Sequence, residues 1–428
     1  QAEIVYGTSI CADPIVVNVT GDAHDEDLLD QTCDVDGDTS GLQCTLRAAM
    51  EEAESQPGTN AITFDIPGGG IHGFLPQTPL PQMNQPVSID ATTQPGYAGT
   101  PLIAIDGQNT TNAYGIQLSG GQSVVRGLSI VNFKEQIGLG TNKGQNRITA
   151  NFIGIHPTGA TGDRMRQQFG IAVVNGSSAN RIGSLETQDR NIISGNGVGI
   201  SINSGSNGNW ILNNHIGLAP DGNAGFGNDT GISIRGSNSN FIGSGVDYGT
   251  NVISGSVNDG ILLDEGAAQN RIFGNFIGTD ITGTISIGNA HGIRIHNAAA
   301  NNIIGGTRRE ERNVISGHNA TNNSVGVLID PDAGAENSVS GNYLGISKEG
   351  DLSLPNRVGI AINADNQTIG NANPDDFRNL IVSANTPGAY GIYLHPFFPN
   401  DELSNVTVQN NTVGTLSFNN EPSGYIGI

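Results

Sequence analysis

The segment His-Gly-Ile-Arg-Ile-His at 291–296 puts two imidazoles and a guanidinium within six residues. Imidazole ionises nearest neutrality and suits proton transfer; guanidinium is a fixed cation that grips carboxylates. The apolar frame, Gly-Ile-x-Ile or a close variant, recurs at Gly170, Gly199, Gly231, Gly260, Gly292, Gly326, Gly359 and Gly391. Side chains of a strand alternate between faces, so with both aliphatic residues inward the positions two and four after each glycine point outward. The fourth position reads Val174, Asn203, Arg235, Asp264, His296, Asp330, Asn363, His395, and the second Ala172, Ser201, Ser233, Leu262, Arg294, Leu328, Ala361, Tyr393. Reactive side-chain types gather in the middle copies.

If successive copies stack at the strand spacing of about 4.8 Å, Arg235, Asp264, His296 and Asp330 form one outward column, with Arg294 beside His296. Asp259 and His291, each one residue before its glycine, flank it; Glu265 and Asp332 extend its acidic edge. Asp264 and Asp330 would then lie about 9–10 Å apart, near the upper end of the carboxylate separation of inverting glycosidases. One would protonate the leaving oxygen and the other would activate water. A second route makes His296 the general base of a β-elimination from a uronic acid, with Arg294 or Arg235 neutralising the sugar carboxylate. In that route the aspartates suit Ca2+, a hard cation that prefers oxygen.

Asp264, His296, Asp330 and Arg294 are therefore the catalytic candidates. Arg235, Asp259, His291, Asn363, Tyr393 and His395 are candidate substrate contacts, with Phe397 and Phe398 completing an aromatic group suited to sugar faces. The same charges have a plain structural reading, since opposite charges in register stabilise adjacent strands by roughly 0.2–1 kcal/mol per pair.

What must position these residues is a repeat. Between the glycine motifs lie "NRITANFIG" at 146, "NWILNNHIG" at 209, "NRIFGNFIG" at 270 and "NSVSGNYLG" at 337, alternating with pairs such as "NFIG" at 240 and "NVISG" at 251. Each period of about 31 residues supplies three strands too short to bury a core alone, so periods must stack. The expected fold is all-β: a single-stranded right-handed parallel β-helix of about ten or more rungs, its handedness taken from the general rule for parallel crossovers. Gly and Asn between strands are expected at corners with positive φ, and aligned asparagines are expected to form hydrogen-bonded ladders.

Ahead of the repeats, Leu46, Ala49, Met50 and Ala53 fall on one helical face, with Thr45 as N-cap and Pro57-Gly58 as the stop. An amphipathic helix there would cap the apolar end of the coil. The expected division is residues 1–60 for an N-terminal strand, disulfide turn and capping helix, and 61–428 for the coil.

Composition narrows the partners. The net charge is −22, and only Lys134, Lys143 and Lys348 are lysines, so nucleic acid and anionic membranes are disfavoured. No stretch is apolar enough to cross a bilayer, so membrane insertion is not expected. Cys33 and Cys44 flank the acidic "DVDGDTSGLQ" and are expected to form a disulfide, which implies an oxidising, extracytoplasmic setting. Cys11 is left over. Asp34, Asp36 and Asp38 resemble the start of a calcium loop but lack its sixth-place glycine and closing glutamate.

"CTLRAAMEEA" at 44–53 resembles the N-terminal C-S-L-R-E-A-type motif of secreted and surface bacterial proteins, with Thr45 and Ala48 in place of Ser and Glu. "TTQPGYAGTPLIAIDG", "NFIGTDITGT" and "RNVISG" look like the repeats that accompany it. The resemblance implies a pectin-lyase-like β-helix outside the cytoplasm, extracellular or on the cell surface, and transfers no catalytic residue.

Three functions fit. The first is a secreted polysaccharide-acting enzyme, hydrolase or lyase, working on the middle rungs. The second is a carbohydrate-binding or adhesive protein without catalysis. The third is a structural subunit of a surface layer or filament, self-associating through Cys11 and the strand "DPIVVNV".

Overall fold

The computed structural model describes residues 13–163, 165, 167–246, 249–319, 321, 323–373, 377–384, 388–395, 402–416 and 422–423. Cys11, Phe397 and Phe398 lie outside them.

Three sheets run the length of the molecule, of thirteen, thirteen and ten strands among the described residues. The chain visits them in turn, so that each rung adds one strand to each sheet. Among the described residues, the strands of the three sheets pair in parallel except at the last short strand, Pro422–Ser423. The fold is a right-handed parallel β-helix.

The repeat sets the register. In the third sheet Ile171, Ile200, Ile232, Ile261, Ile293, Val327, Ile360 and Ile392 pair rung upon rung. A slip of one residue would turn this aliphatic stack toward water. Each buried aliphatic side chain contributes roughly 1.5–3 kcal/mol, and one continuous core runs from Val17 to Ile392.

Asparagine side chains form the corners. Along the entry to the first sheet, Asn180 donates to Asn209 at 2.8 Å, Asn209 to Asn240 at 2.9 Å, Asn240 to Asn270 at 3.0 Å and Asn270 to Asn302 at 3.1 Å. Glycines and asparagines take positive φ between strands as expected, among them Gly208 (φ 65°), Gly274 (φ 68°), Asn213 (φ 54°) and Asn301 (φ 57°). In the first-sheet ladder this conformation falls on the residue before the ladder asparagine, which is also Ala179 (φ 57°), Ser239 (φ 56°) or Gln269 (φ 57°). The ladder asparagine's own N–H and side-chain amide both donate to the next rung, as from Asn180 to Asn209.

Helix α1 (Leu46–Ser55) begins at Thr45, whose hydroxyl accepts from the Ala48 N–H. Its expected apolar face, Leu46, Ala49, Met50 and Ala53, is buried and belongs to the coil's core. Arg47 is buried as well: it donates to both carboxylate oxygens of Asp22 and to the carbonyls of Thr78 and Pro79. The Cys33–Cys44 disulfide closes the acidic turn. Strand Ile15–Val17 pairs with Asn60–Phe64 as the first strand of the first sheet.

Between the second and third sheets, four loops fold into short antiparallel hairpins, bridged at Ile155–Thr161, Leu218–Gly225, Thr279–Ser286 and Ile346–Ser353. They form a ridge along the edge where the Gly-Ile-x-Ile strands begin.

Candidate functional site

The motif glycines explain why the candidate residues meet. A Cβ on Gly260 would lie 2.6 Å from the Gly292 carbonyl oxygen and 2.7 Å from the Asn289 amide. Gly260 thus faces the interior together with Ile261, and the strand breaks its alternation there. The residue before the glycine consequently shares the outer face with the second and fourth positions. Asp259 and His291 therefore join the cluster instead of merely flanking it.

Strand Asp259–Asp264 pairs with Thr230–Arg235 on one side and His291–Ile295 on the other, setting Arg235 against Asp264, Asp259 against His291 and Leu262 against Arg294. His296 and Asp330 each follow a strand, and their N–H groups donate to the carbonyls of Leu263 and Ile295. Those bonds carry the column past the strand ends.

At its centre Arg294 Nε meets Asp330 Oδ2 at 2.5 Å. His296 Nδ1 lies 3.2 Å from the same oxygen and 2.8 Å from Asp332 Oδ1. This nitrogen is sealed from solvent and makes no directed hydrogen bond despite its close approach to both carboxylates. One rung away, Arg235 reaches Asp264 at 3.5 Å and Glu265 at 3.6 Å. Asp264 and Asp330 are both 7 % exposed. Both aspartates of the sequence-derived pair are therefore arginine-bound.

Asp259 differs. It is 5 % exposed, and its Oδ1 has no partner among the described residues. Burial drives its carboxyl up to about 6; Arg294 and His296 oppose the rise, and Asp330 adds to it. Burial also lowers His291, helped by Arg294 and resisted by Asp330. For Arg294 burial acts downward, but the bond to Asp330 and the surrounding carboxylates hold it above its ordinary value.

His296, Asp330 and Asp332 offer ligand atoms within 4.8 Å of one another, the one such group of three among the described residues. A nitrogen with two carboxylates suits a borderline divalent cation better than Ca2+, which takes six to eight oxygens. The acidic turn at Asp34, Asp36 and Asp38 is tied up in local bonds: the Asp36 N–H donates to Asp34, the Asp38 N–H to Asp36, and Thr39 to Asp36.

The remaining candidates lie on the same face but outside the cluster. The Asn363 amide donates to the His395 carbonyl at 3.0 Å. Tyr393 stacks on Tyr390 at 4.7 Å and on His395 at 5.5 Å. Tyr393 pairs with Ala361, three rungs or about 14 Å from Arg294. The "TRREERN" loop joins the first sheet to the second: Arg312 lies 3.7 Å over the Tyr343 ring and Glu311 bonds Arg271. The sequence reading missed Asp259 as the isolated carboxyl. The available signal was the double glycine–isoleucine step, which forces two inward residues in succession.

No family model matches the chain, and no curated protein matches it. Among solved structures, it is similar to the Azotobacter vinelandii mannuronan C-5 epimerase AlgE6 A-module, with a TM-score of 0.53 and 12% identity, covering 87% of this chain and 96% of that one. It is also similar to a periplasmic alginate epimerase, AlgG (TM-score 0.41, 13% identity, 85% and 82% covered), and to pectate lyase Pel9A (0.37, 15%, 78% and 79%). At these identities the likeness shows the parallel β-helix fold and nothing finer.

Proposed function

We propose that this protein is an exported polysaccharide-acting enzyme whose reaction centre is the Asp259–Arg294–Asp330 cluster, and that it hydrolyses glycosidic bonds. The observation that carries this is the difference between its carboxyl groups. Asp259 is buried, unpartnered at Oδ1 and raised to about 6, while Asp330 is ion-paired with Arg294. Such a split assigns the proton donor and the base. Asp259 protonates the departing glycosidic oxygen, and Asp330 accepts a proton from the attacking water. The centre holds Asp264, Glu265, Asp330 and Asp332 against Arg235 and Arg294, an acidic excess that stabilises an oxocarbenium-like transition state and favours a neutral glycan.

The fold neighbour that is a mannuronan C-5 epimerase module acts on a polysaccharide, in keeping with a glycan substrate here. The Cys33–Cys44 disulfide supports an oxidising compartment. No helix among the described residues is long and apolar enough to cross a membrane.

Elimination from a uronate is the second reading, favoured by His296, whose Nδ1 lies between Asp330 and Asp332 and leaves Nε2 as a base.

One assay separates these readings. The protein is incubated with neutral and uronate polysaccharides, with and without chelator, while reducing ends and the ultraviolet absorbance of a new double bond are followed. Hydrolysis predicts reducing ends without absorbance, undiminished by chelation, and a loss of about 10²–10⁴-fold in Asp259→Asn. Absorbance lost in His296→Ala would favour elimination. Binding without turnover would leave an adhesive role, and full activity in both Asp259→Asn and Asp330→Asn would refute the site.

A further inference from the structure

We propose that a second pocket, on the outer face of the second sheet, binds a small hydroxy-carboxylate of about one sugar ring in size. In this assignment Arg190 grips the carboxylate and His215 a hydroxyl. The pocket does not depend on the third-sheet centre.

The outer column of the second sheet reads Phe152, Ile192, His215, Val252, Phe276, Val314 and Tyr343. Within this run His215 stands where the other residues are aliphatic or carry a phenyl or phenol ring. In the matching segments "NRITANFIG", "NRIFGNFIG" and "NSVSGNYLG" the same place holds Phe152, Phe276 and Tyr343. An aromatic ring would satisfy the packing there, so packing does not require the imidazole.

His215 is 4 % exposed, and its Nδ1 has no partner. Burial, reinforced by Arg190, brings its pKa down to about 3. It is therefore a neutral ring offering one donor and one acceptor. Leaving a buried nitrogen unsatisfied is unfavourable, and a ligand hydroxyl would relieve it.

Arg190 supplies the charge. Its Nε and Nη2 donate to the Asn213 side-chain oxygen at 3.1 and 2.7 Å, which fixes the guanidinium. No carboxylate ion-pairs with it among the described residues, although the chain has 40 Asp and Glu against 18 Lys and Arg. The adjacent Asp189 is engaged elsewhere, with Arg126 at 3.2 Å and Ser184 at 2.9 Å. Arg190, Asn213 and His215 line a cavity of about 330 Å³ together with Val252, Phe276 and Ile281. A cation, a neutral donor–acceptor and an apolar wall in that space match a uronate: carboxylate, ring hydroxyls and a C–H face.

Calorimetric titration of the full chain with D-glucuronate, D-galacturonate, D-glucose, acetate and glucose phosphate tests this. A uronate is expected to bind saturably and at least tenfold tighter than glucose, acetate or the phosphate ester. Arg190→Gln should weaken it at least tenfold. His215→Phe, which restores the ring of the matching repeats, should abolish it without lowering Tm. Asp259→Asn should bind the uronate as the parent does. No binding of either uronate, equal binding of acetate, glucose or the phosphate ester, retention in both pocket variants, or loss in Asp259→Asn would each overturn the proposal.

Discussion

Asp259 holds its proton more tightly folded than unfolded, because charging it means burying a carboxylate with one oxygen unpartnered. Its folded value of about 6 lies above the ordinary 3.8 of an exposed aspartate. The stability it contributes is therefore full below about pH 4 and lost as pH rises through 6, an effect of order 3 kcal/mol. Asp259→Asn should remove this pH-dependent loss. Comparing Tm for the two proteins from pH 4 to 8 cancels other titrations and should show the variant melting progressively higher than the parent. Parent activity should fall as pH rises through about 6, because the donor must be protonated. A Tm difference that does not change with pH would remove Asp259 as the perturbed group.

At the scale of the element, the ladders carry the burden of turning the chain. Asn240 accepts from both the Asn209 backbone N–H and its side-chain amide, each at 2.9 Å, and donates to Asn270. Asn240→Ala should cost about 3 kcal/mol, since it strands the buried Asn209 N–H and the Asn209 side-chain amide, while Asn270 keeps the bond from the Asn240 backbone N–H; denaturant unfolding reads the loss. The matching column at the entry to the third sheet runs through Asn196, Asn228, Ser256, Asn289, His318 and Asn356, and His318 is fully buried and accepts from the Asn289 N–H at 3.2 Å. Burial lowers its pKa to about 4, with the Asn289 and Ile277 bonds resisting. Its stabilising contribution is present above pH 6.5 and is lost as pH falls through 4. His318→Asn should therefore retain more stability than the parent at pH 4 while differing less at pH 8, measured by thermal melts at both pH values.

Over the whole molecule, the coil is as stable as its ends are protected. Helix α1 joins the core at the first rungs, and Arg47 locks it to Asp22, Thr78 and Pro79. Met50, fully buried on the inner face, is the position where a charge should unseat the cap. Met50→Asp is expected to lower Tm and produce concentration-dependent multimers by size-exclusion chromatography, because an uncapped coil presents open strand edges and apolar core. A monomeric variant with unchanged Tm would show that the cap does not protect that end.

The sequence by itself determined the winding, the inward aliphatic stack, the asparagine ladders and the capping helix. Each is a local pattern repeated at fixed spacing, and repetition leaves stacking as the way to bury it. The same period brought Arg235, Asp264, His296 and Asp330 into one column, because vertical neighbours in a coil are simply one period apart. Only the tertiary structure decided what those neighbours do to one another. It turned the motif glycine inward and thereby brought Asp259 to the outer face, paired Arg294 with Asp330, and left one carboxyl without a cation. It also showed that His215, one letter in an otherwise aromatic position, lines a cavity beside an arginine with no acidic partner among the described residues. Burial and pairing depend on what loops from other rungs place overhead, and no spacing along the chain encodes that.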